Sequence, residues 1–412
     1  MNIKLERIIE DIETLATFNA TPGKGVTRLS FTKEDKEARE YIRNRMEEIG
    51  LKTWEDGYSN LFGRKEGKDL NAPVIMIGSH FDSVINGGPF DGVAGLVTAL
   101  EVARVLVEND VDHHYPIEVV AMNDEEGVRF GTGLSNSRAM IGAMDEAELD
   151  SAVDKDGISL RQAMLDFGIT PNLEDAKREK GSIKAFLELH IEQGPILEDE
   201  GKEIGLVETI VGIDKYDCVF KGNSGHAGTT PMVDRRDALI GAAEFALAIN
   251  RIVRKVGEGT VGTVGEFNIS PNAPNVIPGQ VQMSIDIRSG KDENIKKVEK
   301  EMMEELKRIG DSLNLETEIK KSLYVPPVNM SEEIIGIMEE KVKELGYSYK
   351  RMDSGAGHDS MIMAEIAPTS LIFVPSKDGL SHHPDEWTDY EAIKKGVELM
   401  LKTVVELGRE GL

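Results

Sequence analysis

Four short, largely apolar runs, at 73–79, 117–122, 185–191 and 370–375, constrain the fold of this 412-residue chain more than any other feature. A strand with one wet face alternates apolar and polar residues, whereas a continuous run implies burial on both faces. Helical patterns lie between the runs. In the first, near 4–18, Leu5, Ile8, Ile9, Ile12 and Leu15 fall at helical spacing. The SFTKE stretch at 30–34 looks like a cap before a second helix that runs to about residue 50, and 92–108 reads as a third helix. Buried strands interleaved with helices argue for an α/β sheet covered on both faces.

The stretch 213–330 has a different pattern. Residues 215–221 alternate like a half-exposed strand, and a helix follows at 234–254. Residues 260–269 and 280–288 alternate again across the turn-rich SPNAPNVIPG, before a charged helix at 291–310 and a strand near 314–320. The order β-α-β-β-α-β is that of a split βαβ, ferredoxin-like unit. We read an α/β domain in two parts, 1–212 and 331–412, with a second domain inserted at 213–330. One continuous mixed domain is the alternative.

Charge excludes several partners. Lys plus Arg is 48 and Asp plus Glu is 74, giving a net charge of −26. Such a surface repels nucleic acid and anionic lipid, so neither is expected as a partner, and a small anionic substrate would need a local basic pocket. The single cysteine, Cys218, excludes a disulfide framework and a zinc ribbon, and it fits a reducing cytoplasm. It reads as a small packing residue in a strand. The opening MNIKLERIIEDIE is charged and helix-like, unlike a signal peptide. The longest apolar-leaning run, 93–107, is interrupted by Glu101 and Arg104 and is too short to span a bilayer.

The chemistry gathers after the apolar runs. His80 closes the first, in GSHFDSV, and Asp91 follows in the glycine-rich GGPFDGVAG, just before a helix. As an isolated feature, Asp91 reads equally well as a helix cap. Glu125 and Glu126 follow the second run in NDEEGVRF, where one carboxylate can bind a cation while its neighbour serves as a base. His190 ends the third run in ELHIEQGP, and His382 follows the fourth in GLSHHPDEW. Strand ends are where α/β sheets put their ligands. Imidazole and carboxylate without thiolate suit zinc, manganese, cobalt or nickel. Five such residues with one bridging carboxylate make a two-metal site, with the ions about 3.5–4 Å apart.

Together GSHFDSVINGGPFDGVAG, NDEEGVRF, ELHIEQGP, HAGTTPM, NVIPG, SGAGHDS and IFVPSKDGLSHHPDEW resemble the dinuclear-metal amidohydrolases. That family includes N-carbamoyl-L-amino acid hydrolase, allantoate amidohydrolase and β-ureidopropionase, with zinc aminoacylases and exopeptidases as wider relatives. The match runs from near residue 25 to the C-terminal region. The resemblance implies a mixed-sheet, metallo-exopeptidase-like catalytic domain with an inserted lid and dimerisation domain. It implies two divalent metal ions per subunit, zinc or else manganese, cobalt or nickel. His80, Asp91 and His190 would hold one; Asp91, Glu126 and His382 would hold the other. Glu125 matches the general base, and Asp82 matches a residue that orients His80 from behind. The Asp91–Gly92 peptide is expected to be cis. His383 reads as a neighbour of His382, and an exchange of the two stays open. Gln193, Asn275, Arg288 and His358 map to substrate binding, with Arg288 on a substrate carboxylate. His226 resembles the residue that polarises the scissile carbonyl.

The implied reaction is hydrolysis of a ureido C–N bond in a small anionic substrate. N-carbamoyl-L-amino acids are favoured, because the IVGIDKY segment lacks the arginine pair associated with allantoate enzymes. Allantoate, β-ureidopropionate and N-acyl amino acids are the alternatives, and an aminopeptidase is a further competitor. A non-catalytic scaffold would be expected to have lost Glu125 or a ligand, and all are present. A homodimer through an uncovered strand edge of 213–330 is expected, with hinges near 212 and 330 and His226 acting in the neighbouring subunit's site.

Overall fold

All four apolar runs become strands of one nine-stranded mixed sheet: Val74–His80, Ile117–Met122, Ile183–Ile191 and Thr369–Val374. The computed structural model describes residues 1–411. Val74–His80 pairs in parallel with Ile117–Met122 on one side and Ile183–Ile191 on the other, and Thr369–Val374 adds in parallel beyond. His80 therefore stands opposite Met122, and His190 opposite Phe373. The four strands end at the same edge of the sheet. Their residues are buried throughout, save Lys184, as continuous apolar runs require. Leu61–Lys65 and Ile204–Ile210 extend the sheet antiparallel on either side.

Helix Val93–Glu108 starts directly after the first strand's loop and packs against that strand, against Leu5–Thr17 and against Tyr390–Leu407. It can lie this close to the sheet because a Cβ on Gly95 would stand 2.1 Å from the Leu189 carbonyl oxygen. Thr32 caps helix Lys33–Ile49 by accepting the Asp35 N–H, and Gly50 ends that helix in the left-handed conformation.

The chain divides into two compact units. One comprises Met1–Glu208, Asn329–Met352 and the chain from Ala356 onward; the other comprises Thr209–Val328 with Asp353–Gly355. In the second, four antiparallel strands lie in the order Glu316–Val325, Gly212–Lys221, Gln280–Ser289, Val261–Ser270. In chain order that is fourth, first, third, second, the arrangement of a split βαβ unit. Helices Ala238–Val256 and Asp292–Leu313 cover one face, burying Tyr216, Cys218, Phe220, Met283 and Ile285. Burial pushes the Cys218 thiol up to about 12, so it is an inert packing group. The other face carries Lys215, Asp217, Ser284, Asp286 and Arg288 around an open groove of about 640 Å³. Among the described residues, no helix is long and apolar enough to cross a membrane.

Candidate metal centre

Sheet register delivers the side chains. His80 is the last residue of its strand and His190 the next to last of the adjoining one. Glu125 and Glu126 lie in the turn after Met122, and His382 lies in the loop beyond Thr369–Val374 with a left-handed φ of 55°. Ligand atoms of His80, Asp91 and His190 fall within 4.8 Å of one another, and so do those of Asp91, Glu126 and His382. Asp91 belongs to both groups. Its Oδ1 is 3.1 Å from His190 Nε2 and 4.0 Å from His80 Nε2, while its Oδ2 is 3.1 Å from His382 Nε2. Glu126 Oε1 lies 3.3 Å from the same His382 nitrogen. Glu125 stands beside the cluster, its Oε2 4.0 Å from His80 Nε2. His383 is turned away, with Nδ1 accepting the Asp385 N–H.

The imidazoles are set from behind. His80 Nδ1–H donates to the Asp82 carbonyl oxygen at 3.1 Å, and His190 Nδ1–H donates to the Ile191 carbonyl oxygen at 2.9 Å. In the neutral ring this leaves the Nε2 lone pair facing the cluster, as a metal ligand needs. Asp91 Oδ2 and Glu126 Oε1 are buried with no aligned hydrogen-bond donor, although His382 Nε2 is close to both. Buried carboxylate oxygens are rarely left so. Orphaned oxygens converging with imidazole nitrogens fit a pair of divalent cations.

Electrostatics agree with a site that calls for positive charge. Burial pushes the Glu125 carboxyl well above its usual range; His80 opposes this, and Glu126, Asp359 and Asp82 reinforce it. Burial works against a charged His80, yet Glu125, Asp82 and Asp91 together hold its imidazole well above the ordinary value. Contacts with Asp91 and Glu126 hold His382 at about 10. A divalent cation among these groups would be the largest local charge and would keep the carboxylates ionised.

One expectation needs correction. The Asp91–Gly92 peptide is trans; among the described residues the cis bond is Ser270–Pro271. The sharp turn comes instead from the dihedral freedom of Gly92, at φ 65° and ψ −48°, with Val93 N–H donating to Asp91 C=O at 2.7 Å. That is a three-residue turn of the rare positive-φ form. Asp82 does orient His80, but through its backbone carbonyl. Its carboxylate is 3.6 Å from His80 Nδ1 and instead accepts the backbone N–H groups of Asp124, Glu125 and Glu126 at 3.0, 3.1 and 3.1 Å. It therefore shapes the turn that carries the two glutamates.

Gln193 and His358 join the same unit's cluster. Gln193 Nε2 lies 3.2 Å from Asp91 Oδ1. His358 is buried with its ring edge-on to His190 at 4.5 Å, and burial together with His190 keeps it well below the ordinary imidazole value. His226, Asn275 and Arg288 belong to the second unit. His226 lies on a short strand that pairs with Val276–Ile277, and Asn275 directly precedes that partner strand, with Ala227 N–H donating to the Asn275 carbonyl oxygen at 3.0 Å. His226 is exposed, and its Nδ1 accepts the Gly228 N–H at 3.0 Å, so a neutral ring carries its proton on Nε2. Arg288 donates Nε–H and Nη2–H to Asp286 at 2.9 and 3.2 Å and Nη1–H to the Gly355 carbonyl oxygen at 2.9 Å, which leaves N–H donors for a ligand. Sequence reasoning passed over Glu386, a buried carboxylate bonded to the Asp91 loop, although it falls in the same HHPDEW segment as His382.

Imidazoles and carboxylates massed where parallel strands end, in a chain that also carries a βαββαβ unit, are the equipment of a hydrolase that attacks amide C–N bonds. Residues 76–406 match peptidase family M20/M25/M40, and the chain belongs to that family. An N-carbamoyl-L-amino-acid amidohydrolase of Paenarthrobacter aurescens is 42% identical over 405 residues, covering 98% of each chain. An allantoate amidohydrolase of Escherichia coli K12 is 34% identical over 403 residues, again covering 98% of each. The crystal structure of an amidase of the hydantoinase/carbamoylase family from Burkholderia multivorans has a TM-score of 0.94 at 35% identity, covering 100% of this chain and 99% of that one.

Proposed function

We propose that the protein hydrolyses the carbamoyl C–N bond of N-carbamoyl-L-amino acids, yielding the L-amino acid, ammonia and carbon dioxide. The observation that carries this reading is the placement of Asp91, with one oxygen toward His80 and His190 and the other toward His382, and Glu125 beside them. Carbamoylase relatives at 42% and 38% identity, against 34% for allantoate enzymes, support this choice of substrate. So does the IVGIDKY segment, which carries Asp214, buried against Tyr216, and a single lysine, Lys215, where an allantoate enzyme is expected to carry an arginine pair.

His80, Asp91 and His190 would hold one divalent ion, and Asp91, Glu126 and His382 the other, with zinc, manganese, cobalt or nickel all suited to these donors. Bound there, the ions supply Lewis acidity and lower the pKa of a water molecule. Glu125 takes the proton of the attacking water and passes it to the leaving nitrogen. His226 donates Nε2–H to the carbamoyl oxygen as negative charge develops on it. Arg288 takes the substrate's carboxylate, and Gln193, Asn275 and His358 orient the ureido group. We read the second unit as a lid that pairs two chains. Strand Val261–Ser270 is an exposed sheet edge, and Leu247 and Ile240 are uncovered on the adjoining helix. The lone buried Cys218 supports a reducing, cytoplasmic setting.

The test is product release with added zinc, manganese or cobalt: ammonia from N-carbamoyl-L-amino acids, allantoate and N-carbamoyl-β-alanine, and free amino acid from a dipeptide. The reading expects the highest kcat/KM on an N-carbamoyl-L-amino acid. A higher value on allantoate would transfer the assignment to that substrate, and turnover of the dipeptide alone would make the protein a peptidase.

A further inference from the structure

Glu386 is only 2% exposed and joins two loops that lie almost 300 residues apart in the chain. Its Oε1 accepts the backbone N–H groups of Phe90 at 3.0 Å and Asp91 at 3.1 Å. Its Oε2 accepts the Ser381 hydroxyl at 2.8 Å, and Ser381 directly precedes His382. Ser381 Oγ lies 3.2 Å from Gln193 Nε2, which is also 3.2 Å from Asp91 Oδ1. The ring of contacts therefore closes: Asp91 backbone, Glu386, Ser381, Gln193, Asp91 side chain. The Asp91 loop is shaped around Glu386, since a Cβ on Gly88 would stand 2.3 Å from the Glu386 side chain. On its other side the loop is pinned by Phe90, whose ring packs edge-on against Trp387 at 5.3 Å.

A buried carboxylate close to another carboxylate is unfavourable unless donors satisfy it. Glu386 is satisfied by two backbone N–H groups and a hydroxyl, each belonging to a loop that carries a candidate ligand. We propose that Glu386 is a positioning residue of the metal centre. It fixes Asp91 through the backbone and His382 through Ser381, and so sets the span across which one carboxylate can serve two cations. This rests on the reading of Asp91 and His382 as ligands. Glu386 itself does not touch substrate or metal.

Zinc affinity, measured on the purified full-length chain by competition with a chromogenic chelator and without substrate, tests the proposal. Glu386→Ala should weaken zinc binding about 10–100-fold, the usual effect of removing a group that orients ligands. Ser381→Ala, which deletes only the hydroxyl link, should weaken mainly one zinc. Glu386→Gln keeps an acceptor for the two N–H groups and a polar partner for Ser381, so it should restore affinity close to that of the unaltered chain. With metal loaded, Glu386→Ala should lower kcat far more than it raises KM. Unaltered zinc affinity in Glu386→Ala would overturn the proposal alone, and so would a Gln variant as impaired as the Ala variant. An unaltered chain that binds no zinc would overturn it together with the metal-centre reading.

Discussion

Gly92 lies so close to His80 that a Cβ on it would stand 2.4 Å from the imidazole Cε1 and 2.5 Å from each ring nitrogen. The ring cannot swing aside, because it is buried and its Nδ1–H is held by the Asp82 carbonyl. Gly92 also sits at a φ of 65°, which a side chain disfavours. Gly92→Ala should therefore displace His80 and cost about 1–3 kcal/mol of stability. Thermal unfolding with and without zinc, together with metal analysis, checks this; a full complement of metal and an unchanged Tm would contradict it.

Asp91 faces both histidine groups, so a bridging carboxylate there would offset the repulsion between two cations. Asp91→Ala should lose both metals, whereas His190→Ala and Glu126→Ala should each weaken mainly one. Metal analysis of the three purified variants distinguishes these outcomes. Retention of both metals by the Asp91 variant would remove it from the bridging role.

The strand Ile117–Met122 could be read from the sequence to the residue, because burial on both faces leaves a run that is apolar apart from Glu118, with polar residues at its end. Helix Ala238–Val256 starts four residues later than its pattern indicated, because 232–234 forms a separate short turn and Asp237 caps the helix. His382 and His383 could not be told apart by position. The left-handed φ of His382 turns its ring inward, and backbone dihedrals are not written in a residue pair. Glu386 was illegible for another reason: in sequence it is one more carboxylate of an acidic chain, and only the fold brings it to Asp91. Which oxygen of Asp82 meets His80 was likewise illegible, because the side-chain and backbone acceptors of one residue share one position in the sequence.

Arg288→Lys should raise KM for carboxylate substrates about 10–100-fold, the worth of a charge-assisted hydrogen bond near 1.5–3 kcal/mol. An ammonium can reproduce neither the fork that grips Asp286 nor the donors that remain for substrate. An uncharged amide analogue should be little affected. Equal losses on both substrates would make Arg288 a structural residue.

If His226 acts across a two-fold dimer, mixing Glu125→Gln chains with His226→Ala chains should restore activity. Each mixed dimer then has one site with both residues and one with neither. Random exchange makes about half the dimers mixed, so about a quarter of the unaltered activity should return. No recovery, with subunit exchange confirmed by mass spectrometry, would place His226 in its own chain's site or outside catalysis.

Glu125 is the residue on which the proposed chemistry turns. Metal content and ammonia release, measured on one preparation of Glu125→Gln, test that most directly. The amide keeps the side chain's shape and removes the proton acceptor, so both metals should remain while kcat falls about 10²–10⁴-fold. A variant that holds its metals and keeps more than about a tenth of the unaltered kcat would contradict Glu125 as the general base.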